Sequence, residues 1–505
     1  MYGRVVVVHI CGATGRRTGE WSHPLGVAVG TVDVASRWRS PTLAAMHATS
    51  TVRRNAAFAT VVLLIASGCS SAAPVAAPTS GARPGTSPPA AIGGADWPTY
   101  HHDNARSGVS PQLAPLGDAL ALAWRAELDG AVYGQPLVIG QRVIAATEND
   151  SVYALSNDDG HVLWSVSLGQ PIRRSDLPCG NIDPLGITGT AAYDPGTGLV
   201  FVVAETSDGR HTLAGIDLAG GAVVLRRPLP PPQGDEIAHQ QRAALTVLGG
   251  SVYVAYGGLA GDCGNYIGSV VAAPTVGSGP LRSYAVPTTR EAGIWAPAGG
   301  TVHNGRLLYA AGNGESTQEY DHSDSALSLT PQLTLADSFS PAEWQSDNQA
   351  DLDLGSMGPA VIGDRVLAVG KRGVGYLLNA GDLGGVGGQR TAQQICAAYG
   401  GSAVDGSTVY LPCSDRTRAV RIDADGTMTL RWTATVPANG SPVVGGGAVW
   451  VTDFDRGVLY ALDPASGATR ERIDVGELPH FASPTLAGDH AYLGTMHGVV
   501  AVGGA

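Results

Sequence analysis

The 505-residue sequence contains a single lysine, Lys371, so arginine carries almost all of its positive charge. The basic residues form no stripe or cluster, and the formal net charge is −12. Domains that bind nucleic acid usually carry a basic face, so nucleic acid is not an expected partner. Only 15% of the residues are charged, whereas the 70 glycines are spread along the whole chain. Short apolar runs between glycine-rich turns predict many short strands rather than helices.

The first 69 residues read as an export signal rather than as part of the fold. Arg53 and Arg54 precede the apolar run Ala56–Ala66, and Ser-Gly-Cys follows it, ending at Cys69. A short apolar run after paired arginines predicts a secretory signal. The Ser-Gly-Cys end resembles the lipobox of bacterial lipoproteins, which predicts lipidation of Cys69. The alternative is an ordinary signal peptide with an incidental cysteine.

These signals divide the chain into four predicted parts. Met46 is the expected true start, so residues 1–45 are predicted to be a non-native upstream extension. Residues 46–69 form the lipoprotein-type signal peptide. Residues 70–94, rich in Ala, Pro, Ser and Thr, form a disordered linker. Residues 95–505 form the folded body, and the chain without residues 1–69 has a formal net charge of about −17.

The four cysteines of the body have no metal-binding spacing. They contain no CxxC pair, which argues against zinc, and no CxxCH motif, so a c-type haem is not expected. An even number of cysteines in an exported chain favours two disulfides. A pair within one hairpin, Cys396–Cys413, is the simpler choice, and it leaves Cys179–Cys263 to join two longer loops.

A unit of about four strands returns along the body with a period of about 35 to 50 residues. Its clearest copy is "GQPLVIGQRVIAATENDSVYALSNDDGHVLWSVSL", Gly134–Leu168, and Gly440–Val475 repeats the pattern. A four-stranded sheet that is apolar on both faces buries them by stacking radially against its neighbours. We therefore predict an all-β, eight-bladed β-propeller, with seven blades as the alternative. The weaker copies are Ile187–Leu229, Ala243–Val286, Gly293–Leu335, Gly358–Gln389, Ile395–Val436 and the C-terminal unit that begins at Ser483.

The last unit, Ser483–Ala505, contains only three strands. The segment Leu120–Leu128, which includes Trp124, precedes the first complete unit and has the pattern of a final strand. We predict that this N-terminal strand completes the last blade and closes the ring.

The pattern "VYALxxxxGxxxW" is similar to the repeat of quinoprotein propellers. That group includes the pyrroloquinoline quinone (PQQ) alcohol dehydrogenases and the propeller lipoprotein of the outer-membrane barrel-assembly machinery (BamB). The segment Asp96–Pro111 resembles the lead-in that precedes many such propellers. The resemblance covers residues 96–505 and implies the fold, which hosts both enzymes and scaffolds.

The resemblance also implies candidate residues for a cofactor site. Trp295 would supply an aromatic face under the quinone, and Asn313 would bind a calcium ion. Asp351 or Asp353 would act as the general base. Each position has a structural alternative: Trp295 packed between blades, Asn313 in a tight turn, and the aspartates in an acidic solvated loop. Glu205 matches the expected calcium ligand of an early blade poorly, and we expect it at the surface.

Other features of the sequence argue against a catalytic function. The adjacent cysteine pair that lies over the cofactor in many of these dehydrogenases is absent from the sequence. Four histidines show no consistent metal spacing, so we expect them in turns or at blade edges: His101, His102, His239 and His480.

Three long insertions between the repeats predict a binding face, because loops between blades open onto the ends of the ring. They are Gly169–Gly186, Pro230–Arg242 and Glu315–Gln349. The residues expected to contact a partner are Arg173, Arg174, Asp183, Tyr320 and Trp344.

Two functions are therefore considered. The favoured one is an exported, membrane-tethered monomer that binds an envelope protein or another component of the cell envelope, without cofactor or catalysis. The alternative is a calcium- and PQQ-dependent dehydrogenase of an alcohol or sugar, which requires Trp295, Asn313 and Asp351 or Asp353 to converge near the central axis.

Overall fold

The structure is a computed structural model that describes residues 93, 96–111, 113, 115 and 119–504. The predicted upstream extension, the signal peptide with Cys69 and all of the linker except Gly93 lie outside the described residues. Within the described part of the chain, no helix is long and apolar enough to cross a membrane.

The body forms eight antiparallel sheets, each with four main strands. We number these blades 1 to 8 in chain order. Blades 1 to 4 contain the strands Leu137–Ile139, Arg142–Ala146, Ser151–Ser156 and Val162–Ser167; Ala192–Asp194, Leu199–Thr206, Arg210–Asp217 and Val223–Pro228; Thr246–Leu248, Ser251–Gly258, Ser269–Pro274 and Arg282–Ala285; and Thr301–His303, Arg306–Ala311, Ser325–Leu329 and Leu335–Ser340.

Blades 5 to 8 follow the same order, and in blade 8 the outermost strand comes from the N-terminal side of the chain. Their strands are Ala360–Ile362, Arg365–Val369, Val374–Asn379 and Thr391–Gln394; Ala403–Asp405, Thr408–Leu411, Arg418–Ile422 and Met428–Thr433; Val443–Gly445, Ala448–Asp453, Val458–Leu462 and Thr469–Asp474; and Thr485–Ala487, His490–Thr495, Gly498–Gly504 and Leu120–Glu127. The eight-bladed prediction is confirmed, and the seven-bladed alternative is wrong.

A few short elements complete the fold. Two-residue strands extend three of the blades, and the described chain has one α-helix. The short strands are Val109–Ser110 on blade 7, His239–Gln240 on blade 3 and Gly385–Val386 on blade 4; the α-helix is Trp344–Ala350, and the 3₁₀ turns are Arg174–Asp176, Glu236–Ala238 and Leu354–Ser356.

The hydrophobic core is divided into layers between neighbouring blades. Between blades 1 and 2, for example, Ile144 and Val152 pack with Val200 and Val202. The middle strands are buried on both faces, whereas outer strands expose residues such as Val224. Each sheet therefore depends on two neighbours to cover its faces, as the ring architecture requires.

The N-terminal strand closes the ring as predicted. Leu120–Glu127 pairs antiparallel with Gly498–Gly504, and Trp124 lies opposite Ala501. A β-bulge between Leu122 and Trp124 turns the indole toward blade 1. There the indole N–H donates to the Asn157 carbonyl at 3.1 Å.

The same tryptophan contact recurs at three junctions and explains the glycine of the repeat. Gly160 has φ +75°, and a Cβ at this position would lie 2.5 Å from Cε3 of Trp124. The indoles of Trp164 and Trp432 contact the next blade in the same way, at Gly221 and Gly467. In "VYALxxxxGxxxW", the glycine therefore receives the tryptophan of the preceding blade and the tryptophan contacts the glycine of the next.

The lead-in segment runs across the inner strands at one end of the ring. Trp97 and Val138 of blade 1 exchange backbone hydrogen bonds. The backbone N–H groups of Val302 in blade 4 and Val444 in blade 7 donate to the carbonyls of Asn104 and Gly108. Arg106 is buried and donates to the carbonyls of Gly300 and Leu245, among others. The segment thus connects inner strands from opposite sides of the ring.

One predicted insertion is wrong. The region Glu315–Gln349 was expected to be a loop, but it contains the two outer strands of blade 4 and the helix Trp344–Ala350. The strand Ser325–Leu329 is buried throughout although two of its five residues are serines. Because both faces of a blade are buried, such a strand cannot be distinguished from a loop by its polarity.

Candidate functional site

A cavity of about 610 Å³ opens near the ring axis. Its walls come from connections between successive blades and from turns between second and third strands, which emerge at the same end of the ring. Trp295, Asp351 and Asp353 all line it. The volume lies within the usual range for small-molecule sites.

Asp353 occupies the buried part of this wall. The helix Trp344–Ala350 ends at Asp351, whose φ of +52° turns the chain inward toward the axis. Asp353 is only 4% exposed. Its Oδ1 accepts the backbone N–H of Asn313 at 2.6 Å, and its Oδ2 lies 2.7 Å from Nζ of Lys371.

Lys371 joins the two candidate bases. It follows the second strand of blade 5, and its backbone N–H donates to the carbonyl of Asp353 at 2.8 Å. Its ammonium also lies 2.6 Å from Oδ1 of Asp351, whose side chain is 63% exposed. The only lysine of the chain is therefore held by one buried and one exposed carboxylate.

Asp353 and Lys371 influence each other electrostatically. Burial raises the pKa of Asp353, and the neighbouring Lys371 ammonium opposes that rise. Burial alone would lower the pKa of Lys371, but Asp353 and Asp351 outweigh it and hold the pKa above its ordinary value. Lys371 is thus charged at neutral pH, and Asp353 is a carboxylate of increased basicity, which is the property of a general base.

Aromatic rings line the opposite part of the cavity. The rings of Trp295 and Phe481 lie 6.2 Å apart, and Tyr399 is nearly parallel to Phe481 at 6.1 Å. The guanidinium of Arg242 lies 5.0 Å from the Phe481 ring and 5.5 Å from the Tyr133 ring. Such cation–π contacts hold an arginine in place without consuming its hydrogen-bond donors.

Arg242 retains a buried donor. Its Nε has no hydrogen-bond partner among the described residues, while its Nη2 donates to the carbonyl of His480 at 3.1 Å. Burial lowers the pKa of Arg242, and Tyr133 and Glu148 oppose that shift. Arg242 also lines the cavity, where its guanidinium suits an anionic ligand group.

These residues fit a planar, anionic quinone such as PQQ. Trp295 offers a flat apolar face, and Arg242 and Lys371 offer donors for carboxylate and carbonyl oxygens. The fit to calcium is poor. Both oxygens of Asp353 are already engaged, and no cluster of three or more acidic, histidine or cysteine side chains in the described part of the chain is arranged to hold a metal. Asn313 contacts Asp353 through its backbone.

A second group of buried carboxylates lies across blades 1 and 2. Glu148, Asp150 and Glu205 each have at least one buried oxygen without a partner among the described residues. Burial raises the pKa of Glu148 to about 7 and that of Asp150 to about 8. Burial alone would lower the pKa of His211, but Glu205, 3.4 Å away, outweighs it and raises the pKa to about 9.

The expected surface position of Glu205 is therefore wrong, since only 1% of it is exposed. Its strand, Leu199–Thr206, is buried on both faces. His101 lies in a turn and His239 in the short edge strand His239–Gln240, as expected, but both side chains are fully buried. His101 contacts the Ser402 carbonyl and the Ser483 hydroxyl, both at 3.0 Å.

The predicted partner-binding residues divide into two groups. Arg173, Arg174 and Asp183 are exposed in one loop, where the Arg174 backbone N–H donates to Asp183 at 3.1 Å. Tyr320 is half-buried in the segment before the strand Ser325–Leu329, and Trp344 begins the helix and is 6% exposed; their rings lie 5.7 Å apart. The second group packs blade 4 against the helix.

The two predicted disulfides are present. Cys179 is joined to Cys263, and Cys396 to Cys413. The first lies beside the cavity, because Asn181 and Asp262, close to its two cysteines in the chain, line the wall. It therefore fixes two loops that form the rim.

The sequence interpretation missed Lys371, Arg242, Tyr399 and Phe481 as parts of the site. The one available signal was that Lys371 is the only lysine. The others come from connections between different blades, and no short motif contains them.

Comparisons with known proteins agree with the fold. A family model described as "Outer membrane protein assembly factor BamB" matches residues 118–261 and 342–503. A polyvinylalcohol dehydrogenase of Sphingopyxis sp. (strain 113P3) is 26% identical over 482 residues, covering 80% of this chain and 69% of the relative.

Solved structures of alcohol and methanol dehydrogenases and of BamB are similar to this chain. The quinohemoprotein alcohol dehydrogenase of Comamonas testosteroni has a TM-score of 0.62 and 17% identity over 81% of this chain and 80% of that one. A europium-containing methanol dehydrogenase has a TM-score of 0.60 and 13% identity over 81% and 98%. BamB of Moraxella catarrhalis has a TM-score of 0.54 and 16% identity over 77% and 98%.

Proposed function

The chain belongs to the family described as outer membrane protein assembly factor BamB, and from that premise we propose that its central cavity binds PQQ and oxidises an alcohol. The family fold is common to scaffolds and quinoprotein dehydrogenases, so the cavity has to distinguish between them. The observation that carries the proposal is the buried Asp353–Lys371 pair in one cavity with Trp295. A scaffold has no need of a buried base and a charged lysine beside an aromatic ring that lines a cavity.

Each of these cavity residues has a separate role in the proposed reaction. Trp295 supports the quinone plane, and Arg242 and Lys371 orient its carboxylate and carbonyl oxygens. A bound PQQ would supply the two-electron oxidant for the alcohol. Asp353 accepts the hydroxyl proton of the alcohol, and Lys371 keeps its carboxylate in position. Tyr399 and Phe481 exclude water from the reacting atoms.

The proposal is tested with purified protein, PQQ and an artificial electron acceptor. We expect PQQ to quench tryptophan fluorescence and a panel of alcohols and sugars to reduce the dye. Asp353→Asn should reduce turnover by about 10²- to 10⁴-fold, the usual contribution of a general base, with little effect on PQQ binding. Asp364→Asn is the matched control, because its side chain is 92% exposed and does not line the cavity. Lack of PQQ binding by the wild-type protein would refute the proposal.

A scaffold without catalysis is the second candidate, and the exposed loop that contains Arg173, Arg174 and Asp183 favours it. This loop is fixed by the Cys179–Cys263 disulfide and offers charges of both signs to an envelope protein. In this candidate the protein acts as a monomer and needs no cofactor. Proteins captured by the wild type but not by an Arg173→Glu, Arg174→Glu variant would support it.

Both candidates place the protein outside the cytoplasm. The disulfides and the relatives suggest an extracytoplasmic protein. We infer further that Cys69 is lipidated and anchors the chain to the outer face of the cell membrane. Incorporation of a labelled fatty acid that is lost in Cys69→Ala tests this anchor.

A further inference from the structure

The chain's only lysine occupies the place where a cation is needed. Lys371 lines the cavity, and its ammonium lies within 2.7 Å of both Asp351 and Asp353. The side chain is 19% exposed, so part of the ammonium faces the cavity rather than bulk water. An ammonium has three N–H donors, and two are used by the carboxylates, which leaves one for a ligand oxygen.

A divalent ion at the same place lacks ligands. Calcium takes six to eight oxygens at about 2.3–2.6 Å. The two oxygens of Asp353 already accept the Asn313 backbone N–H and contact Lys371, so a metal ion would have to compete with both groups. An added divalent ion would also be repelled by the ammonium. Among the described residues, no group of three or more candidate ligands is arranged around a metal position.

We propose that Lys371 takes the place of a divalent ion in this cavity, so that the quinone and Asp353 are held without calcium. The inference rests on the proposed function, because it concerns how that site holds its ligand. The positive charge is then part of the chain. It balances the buried carboxylate of Asp353 and donates a hydrogen bond to an acceptor oxygen of the quinone.

The first test measures PQQ binding to the full protein by fluorescence quenching, once with EDTA and once with millimolar calcium chloride. We expect wild-type dissociation constants that agree within about twofold between the two conditions, because Lys371 makes the ion unnecessary. Lys371→Ala should bind PQQ about 10- to 100-fold more weakly in EDTA, the range for a lost hydrogen bond to a charged group. Calcium should restore binding to this variant, because the ammonium no longer repels the ion and the carboxylates of Asp351 and Asp353 can bind it together with the quinone oxygens.

Arg372→Ala is the matched control. Arg372 follows Lys371 in the chain and pairs with Asp347 of the helix Trp344–Ala350, but it does not line the cavity. This variant should behave like the wild type in both conditions. Wild-type binding that is lost in EDTA and restored by calcium would overturn the inference, and that measurement does not depend on any variant folding.

A second measurement separates this inference from the proposed function. Thermal unfolding is followed with and without calcium, in the absence of PQQ. We expect calcium to raise the midpoint of Lys371→Ala but not that of the wild type or Arg372→Ala. If no protein binds PQQ, the proposed function fails, and the calcium shifts alone decide whether Lys371 occupies the cation position. A wild-type shift equal to that of Lys371→Ala would show that it does not.

Discussion

The contact between Trp124 and Gly160 allows a quantitative test of ring closure. Gly160 has φ +75°, and an added Cβ would lie 2.5 Å from the Trp124 ring. Gly140 has φ +59°, but an added Cβ there would have no atom within 4 Å. Gly160→Ala and Gly140→Ala therefore share the backbone penalty and differ in the collision with the closing strand.

The expected free energies follow from these two terms. A left-handed conformation costs an alanine about 1–2 kcal/mol, which sets the loss for Gly140→Ala. Forcing a methyl group into a packed site adds about 1–3 kcal/mol, so Gly160→Ala should lose about 2–5 kcal/mol. Trp124→Ala alone should lose about 3–5 kcal/mol, because the indole is 9% exposed and its hydrogen bond is lost with it.

The decisive experiment is a double-mutant cycle measured by denaturant unfolding. In the Trp124→Ala background, Gly160→Ala should cost no more than Gly140→Ala does in the wild type, about 1–2 kcal/mol, because the colliding ring is gone. The coupling between Trp124 and Gly160 is then about 1–3 kcal/mol. Equal effects of the two glycine substitutions in the wild type, or additive effects in the cycle, would show that Trp124 does not contact blade 1 in solution.

Two further predictions concern stability. Replacing Cys179 and Cys263 by serine should lower the free energy of unfolding by about 2–5 kcal/mol. The same change at Cys396 and Cys413 should cost about 1 kcal/mol less, because that disulfide closes a loop of sequence separation 17 rather than 84. Equal losses in denaturant unfolding would contradict the loop-length argument. Burial raises the pKa of Glu148 from 4.5 to about 7, so the folded state holds this proton more tightly and its stabilising effect is fully present below pH 4.5. Stability should therefore fall by about 3 kcal/mol as the pH rises from 4.5 through 7, and Glu148→Gln should remove that part of the slope; an unchanged slope in the variant would refute the assignment.

The architecture could be predicted because its signals are local. Each glycine and tryptophan of the repeat lies within one unit, and the incomplete last unit together with Leu120–Leu128 indicated where the ring closes. The structure explains why these residues are informative: Gly160 and Gly221 are the positions against which a tryptophan of the preceding blade packs. The requirement is steric, so the sequence pattern shows it directly.

The cavity could be predicted only in part because it is assembled over long distances in the chain. Trp295, Asp351 and Asp353 were found through resemblance, whereas Lys371 acquires its meaning from a salt bridge to Asp353. Arg242 is held by rings that precede and follow it by more than 100 residues, Tyr133 and Phe481. Glu205 was misassigned for a related reason, since a blade strand buried on both faces shows no alternation that would mark a polar residue as internal.

The regular and irregular blades have different roles in the ring. The tryptophan–glycine contacts lie between blades 8 and 1, 1 and 2, and 6 and 7. Asp353 and Lys371 come from the opposite side, from the connection between blades 4 and 5 and from blade 5 itself. The outer strand of blade 5, Thr391–Gln394, contains no tryptophan. The Asp353–Lys371 pair therefore comes from blades outside the three tryptophan–glycine junctions, whereas Tyr133 and Phe481, beside the regular blades 1 and 7, supply aromatic parts of the wall.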